Sequence, residues 1–205
     1  MPPADAHLTE TRLSGEVLTR GNFLTLQRDV VRLPDGAQAT REYLIHPGAV
    51  MIVPLLEGEG GALQLVLERQ YRYPVGQVIV EFPAGKLDPG ERAFDCARRE
   101  LREETGYTAR EWARAGCLHP TVAYSTEAID IWFARGLAPG ARQLDHGEHL
   151  DVFTATPQQL LDGCRDGAIT DAKTLIAALW LDQWLTGRWL LDWRAGQDWA
   201  DNSAQ

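Results

Sequence analysis

The sequence predicts one α/β domain preceded by a small antiparallel β subdomain, and three observations point there. From about Glu16 to Leu55 apolar and polar residues alternate between breaks at Pro34-Asp35-Gly36 and Pro47-Gly48, the pattern of short antiparallel strands. The strand-like run Val78-Ile79-Val80-Glu81-Phe82 then passes through Pro83-Ala84-Gly85 and Asp88-Pro89-Gly90 into a charge-rich helical segment. Two more helical segments follow further strand-like runs. A length of 205 residues suits one such domain with a proper core.

Strands are expected at Phe23 to Arg32, Ala39 to Ile45 and Val50 to Leu55. Another follows the Glu57 to Gly61 turn, at Leu63 to Glu68. The helix should run from Glu91 to Thr105, with the Glu91 charge complementing the helix dipole in the first turn and Gly106 supplying a left-handed C-terminal cap. Strands near Trp112 to Leu118 and Ala128 to Ala134 come next, then a loop from Ala138 to Gly147 and a strand from Leu150 to Thr154. Pro157 suits a first helical turn capped by Thr156, giving a helix to about Arg165. Asp171 to Thr186 forms the last helix, with Leu175, Ile176, Leu179 and Leu185 spaced to face a core. The expected division is residues 1–48 as the β subdomain, 49–188 as the main domain and 189–205 as a Trp-rich tail. Trp189, Trp193 and Trp199 fit packing of that tail onto its own body or a partner subunit, and Asp201 to Gln205 fit a disordered end.

A formal net charge of -9 argues against general affinity for nucleic acid or an anionic membrane. No apolar run approaches the roughly 18 to 20 residues of a membrane span. The start, MPPADAHLTETRLSGE, lacks the positive charge and apolar run of a secretory signal. Cys96, Cys117 and Cys164 are odd in number and widely spaced, which fits reduced thiols in a cytoplasm, with Cys96 as a packing residue. There is no internal repeat or low-complexity tract.

The segment Gly85 to Tyr107, GKLDPGERAFDCARRELREETGY, carries the chemistry. Glu100, Glu103 and Glu104 stand at i, i+3 and i+4, so their carboxylates project from one face of consecutive helical turns and repel. Mg2+ or Mn2+, hard cations with oxygen ligands, are the economical explanation. Interleaved with Arg98, Arg99 and Arg102, the same glutamates also fit a solvated face laced by ion pairs. The flanking turns favour the first reading.

With Gly85, Glu91, Arg99, Glu100, Leu101, Glu103, Glu104, Gly106 and Tyr107 in register, the segment resembles the Nudix box, GX5EX7REUXEEXGU; the last U is aromatic here. That resemblance implies a Nudix fold, an α/β/α sandwich with a mixed sheet, and metal-dependent cleavage of a nucleoside diphosphate linked to another group. Glu68-Arg69-Gln70-Tyr71-Arg72, Glu81-Phe82-Pro83-Ala84-Gly85-Lys86 and Ile169-Thr170-Asp171-Ala172-Lys173-Thr174 resemble the ADP-ribose pyrophosphatase and nucleotide-sugar branch, the likeness running from about Val17 to Leu185.

The branch implies that Glu100, Glu104 and the Ala84 carbonyl bind metal and that Glu103 binds metal or its water. Arg99 would orient these carboxylates, Arg72 would contact the diphosphate, and Glu81 a polar edge of the nucleotide. Arg41 would reach substrate from a partner subunit; as a lone arginine it equally fits a surface residue. Glu127 lies in Tyr124-Ser125-Thr126-Glu127, which lines up with the branch's G-aromatic-S-x-E loop and would bind substrate. Glu148, in Asp145-His146-Gly147-Glu148-His149, aligns with a DExE loop and is the candidate base, with Glu127 and Glu103 as alternatives. His146 and His149 fit exposed loop histidines.

Two departures bear on the substrate. Val122 stands where ADP-ribose enzymes carry a Pro, with Pro120 earlier, and Tyr124 occupies a position associated with dinucleoside polyphosphate hydrolases. The expected reaction is Mg2+-dependent (or Mn2+-dependent) hydrolysis of ADP-ribose to AMP and ribose 5-phosphate. Another nucleotide sugar such as GDP-mannose, a dinucleoside polyphosphate, or a non-catalytic ADP-ribose-binding module are the alternatives. The NADH pyrophosphatase array SQPWPFPxS is missing. The N-terminal strands are too few for a stable sheet alone, which with the branch implies a homodimer. Phe23, Tyr43 and Tyr73 are candidates to stack on the base.

Overall fold

Strands β1 (Thr11–Arg20), β2 (Thr25–Arg32) and β3 (Gln38–Ile45) form an antiparallel sheet in that order. The computed structural model describes residues 5–201 and divides into two compact units. The first runs to Gly48 and includes Thr121–Glu127. Its buried polar centre is Asp29, which accepts hydrogen bonds from Gln27 Nε2 (2.8 Å) and the Tyr43 hydroxyl (2.8 Å) and pairs with Arg12 Nε (3.0 Å). Tyr43, a candidate base-stacking ring, is thus tied into this network. Phe23 precedes β2 instead of opening it and meets the His46 ring edge-on at 5.7 Å. Strand β1 was not expected: Leu13 and Val17 are exposed, so the strand has no alternating buried face to read. Thr121–Glu127 is tied to β3 by backbone bonds between Leu44 and both Tyr124 and Thr126.

The second unit, Ala49–Pro120 with Ala128–Gln205, is built on an eight-stranded sheet. Strand β4 (Ala49–Glu57) lies at its centre and its first seven residues are all buried. It pairs with β5 (Leu63–Arg72) and the short β7 (Ala84–Lys86) antiparallel, and with β9 (Ile129–Pro139) parallel. Strand β6 (Gln77–Glu81) pairs with β5, as does β10 (Leu150–Ala155); β8 (Tyr107–Leu118) pairs with β9, and β11 (Arg194–Ala195) with β8. A continuous apolar strand signals cover on both faces, and β4 has it. Its odd residues Met51, Val53 and Leu55 pack with α2 (Pro157–Arg165) and α3 (Ala172–Leu185) through Leu160, Ala177, Ala178 and Leu181. Its even residues Val50 and Ile52 pack with α1 (Ala93–Thr105) through Phe94, Cys96, Ala97 and Leu101, and with Trp112 and Trp132. Helix, mixed sheet and helix therefore stack as the expected sandwich, and each fully buried Leu, Ile or Phe adds about 1.5–3 kcal/mol.

Three details depart from the expected elements. Helix α1 begins at Ala93, two residues after Glu91, because Asp88-Pro89-Gly90-Glu91 closes a turn in which Glu91 both donates to the Asp88 carbonyl (2.9 Å) and accepts its N–H (3.0 Å). Strand β8 starts at Tyr107 and β9 reaches Pro139, so the expected loop opens only at Gly140. In α3 the buried positions are Thr174, Ala177, Ala178 and Leu181, whereas Leu175, Leu179 and Leu185 are exposed and Ile176 half-buried; a helix apolar on all sides has no stripe to mark its inward face. The tail returns to its own unit, where Trp199 of α4 (Gly196–Asp201) meets Trp132 edge-on at 4.9 Å and donates from Nε1 to the Trp112 carbonyl. Trp193 lies 5.9 Å from Trp184 with Arg135 over its ring, and Trp189 packs on Trp180. Of the end expected to be disordered, residues 202–205 lie outside the described ones. No helix among the described residues is long and apolar enough to cross a membrane.

Candidate active site

Helix α1 ends at Gly106, whose φ of 79° places it in the left-handed region and whose N–H closes on the Arg102 carbonyl. The helix then presents Arg99 as a hub. Its Nε and Nη2 fork onto both oxygens of Glu91 (2.9 Å each), while Nη1 donates to Glu100 (2.6 Å) and Glu103 (3.1 Å). Nη2 also reaches the Lys86 carbonyl and the Cys96 sulfur. The Arg99 fork pulls Glu91 down to about 2 against the opposing effect of burial, and Glu91 in turn raises Arg99. Cys96 is buried as expected of a packing residue, and burial pushes its thiol up.

Glu104 is 2 % exposed and accepts the Ala84 N–H, at 3.0 Å. Burial raises its carboxyl well above the usual range, and the charges of Glu68, Glu100 and Glu148 push the same way. Burial also raises Glu100, against the pull of Arg99. The Glu100 carboxylate occupies the space left by the missing side chain of Gly85, where an added Cβ would lie 1.9 Å from the carboxyl carbon. Gly85→Ala is therefore expected to displace Glu100 and lower turnover about a hundredfold, a misplaced catalytic group sufficing for that loss. An assay run beside a thermal melt checks it, since only the flexible end of Glu100 must move and the melting temperature should change little.

Strand β5 and its neighbours supply the opposite wall. Arg72 forks onto Glu81 through Nε (2.7 Å) and Nη2 (2.9 Å), and Lys173 of α3 hydrogen-bonds the same carboxylate. Burial pulls Arg72 down, but the Glu81 carboxylate outweighs it and, with help from Glu104, leaves Arg72 raised. A groove of about 280 Å3 is lined by Arg72, Gln77, Glu81, Thr170 and Lys173. The Ile169 to Thr174 element, noted in the sequence without a role, turns out to organise this wall. Asp171 caps α3 by accepting from the Thr174 N–H (2.9 Å) and hydroxyl (2.7 Å), and the Thr174 oxygen accepts the Phe82 N–H (3.1 Å), tying the helix to the entry of the box.

Glu148 forms a turn with Asp145, donating to its carbonyl (3.0 Å) and accepting its N–H (3.3 Å). Its charge bears on Glu68, Glu100 and Glu104, which puts this loop within electrostatic reach of the box. The loop is anchored where the Gln143 N–H donates to the Glu103 carbonyl; His146 and His149 are exposed. Arg41 and Glu127 belong to the other unit, Arg41 donating to Glu10 through Nε (3.0 Å) and Glu127 lying 3.7 Å from His46. Tyr73 is exposed.

Two residues escaped sequence reasoning, Lys173 and Glu68. The side chain of Glu68 has no exposed surface, and among the described residues neither of its oxygens has a hydrogen-bond partner. Burial raises its carboxyl, with Glu81 adding to the effect. Counting back by twos from Arg72 through Gln70 was the signal available, since alternate strand residues share a face.

The donor set fits a divalent metal: the half-buried carboxyl of Glu100 and the buried one of Glu104, in surplus over the cations beside them, are what a hard cation compensates. As they stand, no three acidic, His or Cys side chains converge into a metal-holding group among the described residues.

Residues 45–177 match the NUDIX domain, whose hydrolases are in general dependent on divalent metals, and residues 10–44 match the nucleoside diphosphate sugar hydrolase N-terminal domain. The chain is 36 % identical to the methanol dehydrogenase activator of Bacillus methanolicus over 84 % of this chain and 92 % of that protein. It is 33 % identical to the ADP-ribose pyrophosphatase of Bacillus subtilis (strain 168) over 85 % and 93 % respectively. A crystal structure of an ADP compounds hydrolase superposes with a TM-score of 0.76 at 26 % identity, covering 88 % of this chain and 96 % of that one. A complete box on the helix that carries Arg99 and Glu104, within a NUDIX match over more than half the chain and a 33 % identical relative matched nearly end to end, makes this chain a member of the NUDIX hydrolase family.

Proposed function

We propose that this protein hydrolyses ADP-ribose to AMP and ribose 5-phosphate with Mg2+ or Mn2+ as its metal. The observation that carries the reading is the buried Glu104 beside Glu100, held against the Gly85 turn and electrostatically coupled to Arg72, in a chain resembling named ADP-ribose pyrophosphatases over most of its length. The N-terminal match to nucleoside diphosphate sugar hydrolases supports the same substrate class.

Glu100, Glu104 and the Ala84 carbonyl would hold the metal, with Glu103 on it or its water. When bound, the metal would neutralise diphosphate oxygens and acidify water. Arg99 fixes Glu100 and Glu103, so their carboxylates are placed before substrate arrives. Arg72 keeps its Nη1 edge clear of Glu81 and directs it to phosphate, while Glu81 and Lys173 hold that arginine in place; Glu81 also meets a polar edge of the nucleotide. Glu148 accepts the proton of the attacking water, its loop lying within electrostatic range of the metal carboxylates. Arg41 and Glu127 would bind substrate as the branch resemblance implies, Arg41 from a partner subunit.

Glu148→Gln should lower kcat about a hundredfold or more, the usual worth of a general base, with KM nearly unchanged. Steady-state kinetics decide it, and a wild-type kcat moves the base to Glu127 or Glu103. The substrate is tested by turnover on ADP-ribose, GDP-mannose and dinucleoside polyphosphates, each with Mg2+ and Mn2+; faster turnover of another compound would replace ADP-ribose.

We also infer a homodimer, a cytoplasmic setting, and no nucleic-acid or membrane partner. Strand β1 is exposed along nearly its whole length, including Leu13 and Val17, which leaves a three-stranded sheet with a face to cover. The net charge of -9 and three free cysteines support the rest. Light scattering gives the oligomeric state directly.

A further inference from the structure

We propose that Glu68 is an additional ligand of the cation site, contributing a carboxylate from β5 to those of α1. This rests on the metal-site reading above and extends it to a residue outside the box.

Glu68 is the unpartnered acid of this region. Its side chain has no exposed surface, and both oxygens lack a hydrogen-bond partner among the described residues. The carboxylates around it are all engaged: Glu81 by Arg72 and Lys173, Asp171 by Thr174 and Lys173, Glu104 by the Ala84 N–H. Strand pairing sets Glu68 directly opposite Glu81, a like-charge juxtaposition that β-sheets disfavour. Arg72 and Lys173, the two cations that bear on Glu68, are already committed to Glu81. An apolar residue at this position would pack without any of these costs, since a buried charge needs a partner or a metal.

The surroundings say where that partner belongs. Two-residue alternation puts Glu68 on the sheet face of Gln70 and Arg72, and its charge acts on Glu104 while that of Glu148 acts on it. Glu68 thus joins the buried Glu104 and the half-buried Glu100 in a cluster of carboxyl groups raised by burial, which a hard divalent cation with oxygen ligands would let ionise together. Convergence of these side chains is left to the cation itself, since no three of them close on a common point without it.

The test is Mn2+ titration, with free Mn2+ read by electron paramagnetic resonance and the Mn2+-induced rise in melting temperature read in parallel, on wild type, E68Q and E104Q. E68Q should bind Mn2+ about tenfold more weakly or lose one equivalent, and its metal-induced rise in melting temperature should shrink. Glu68→Met, of similar length but without a donor oxygen, gives the same readout if E68Q does not fold. Wild-type affinity and stoichiometry in the Glu68 variant overturn this inference alone. Wild-type binding in E104Q overturns the metal-site reading on which it rests.

Discussion

Glu104→Gln is expected to reduce turnover about a hundredfold to a thousandfold or more, the loss that follows removal of a principal electrostatic group from a site built for developing charge. The fold should survive, because the amide oxygen of Gln can still accept the Ala84 N–H and the side chain keeps its volume. The metal-free variant should in fact be more stable than wild type. Burial, with the charges of Glu68, Glu100 and Glu148, raises the Glu104 carboxyl above its ordinary 4.5, so between that value and the raised one the folded state holds a proton the unfolded state has lost. Stability from such a group is full below pH 4.5 and declines as pH rises. Metal-free wild type should therefore lose melting temperature from about pH 5 upward, and E104Q should decline less. Thermal melts across pH with a chelator, beside the activity assay, check both parts. Retained turnover sinks the metal assignment, and equal pH slopes sink the account of the buried charge.

Arg99→Met should destabilise the protein by about 3 kcal/mol, because it leaves Glu91, Glu100 and Glu103 facing one another without their shared counter-charge. Arg99→Lys should recover little of the loss. One ammonium cannot reproduce a fork onto Glu91 and a second edge toward Glu100 and Glu103. The wild-type pair also sets an acid limit. Glu91 is held down to about 2, so its contribution is complete above pH 4.5 and is lost as pH falls toward 2, where the unfolded state takes up the proton first. Denaturant unfolding of wild type, R99M and E91Q between about pH 3 and 7 reads this directly. A wild-type midpoint in R99M would show the network to be ornamental to stability.

Much of this was legible along the chain. Thr156-Pro157 announces α2, and the spacing of Glu100, Glu103 and Glu104 announces one acidic helix face. Each is a local pattern whose period is fixed by backbone geometry. Strand β4, expected among alternating antiparallel strands, instead runs unbroken and apolar with a parallel neighbour in β9. Where the reading missed elsewhere, the local pattern was silent. Helix α3 is apolar all round, so Leu175 and Leu179 could not be told from Ala178 and Leu181. Strand β1 is exposed nearly throughout and shows no alternation of buried and exposed residues. Glu91 has the composition of a first helical turn, yet its partner Arg99, eight residues on, holds it in the preceding turn instead.

The acidic helix face of the box is determined by the sequence itself, through spacing within a few turns, and the family and its sandwich fold follow from the resemblance that the box residues carry. Only the tertiary structure decided that Arg72 is held by Glu81 and Lys173, that Trp199 returns to Trp132 and Trp112, and that Glu68 is buried without a partner. Burial and charge pairing depend on what distant segments bring to the same place, and no window along the chain contains both sides of those contacts.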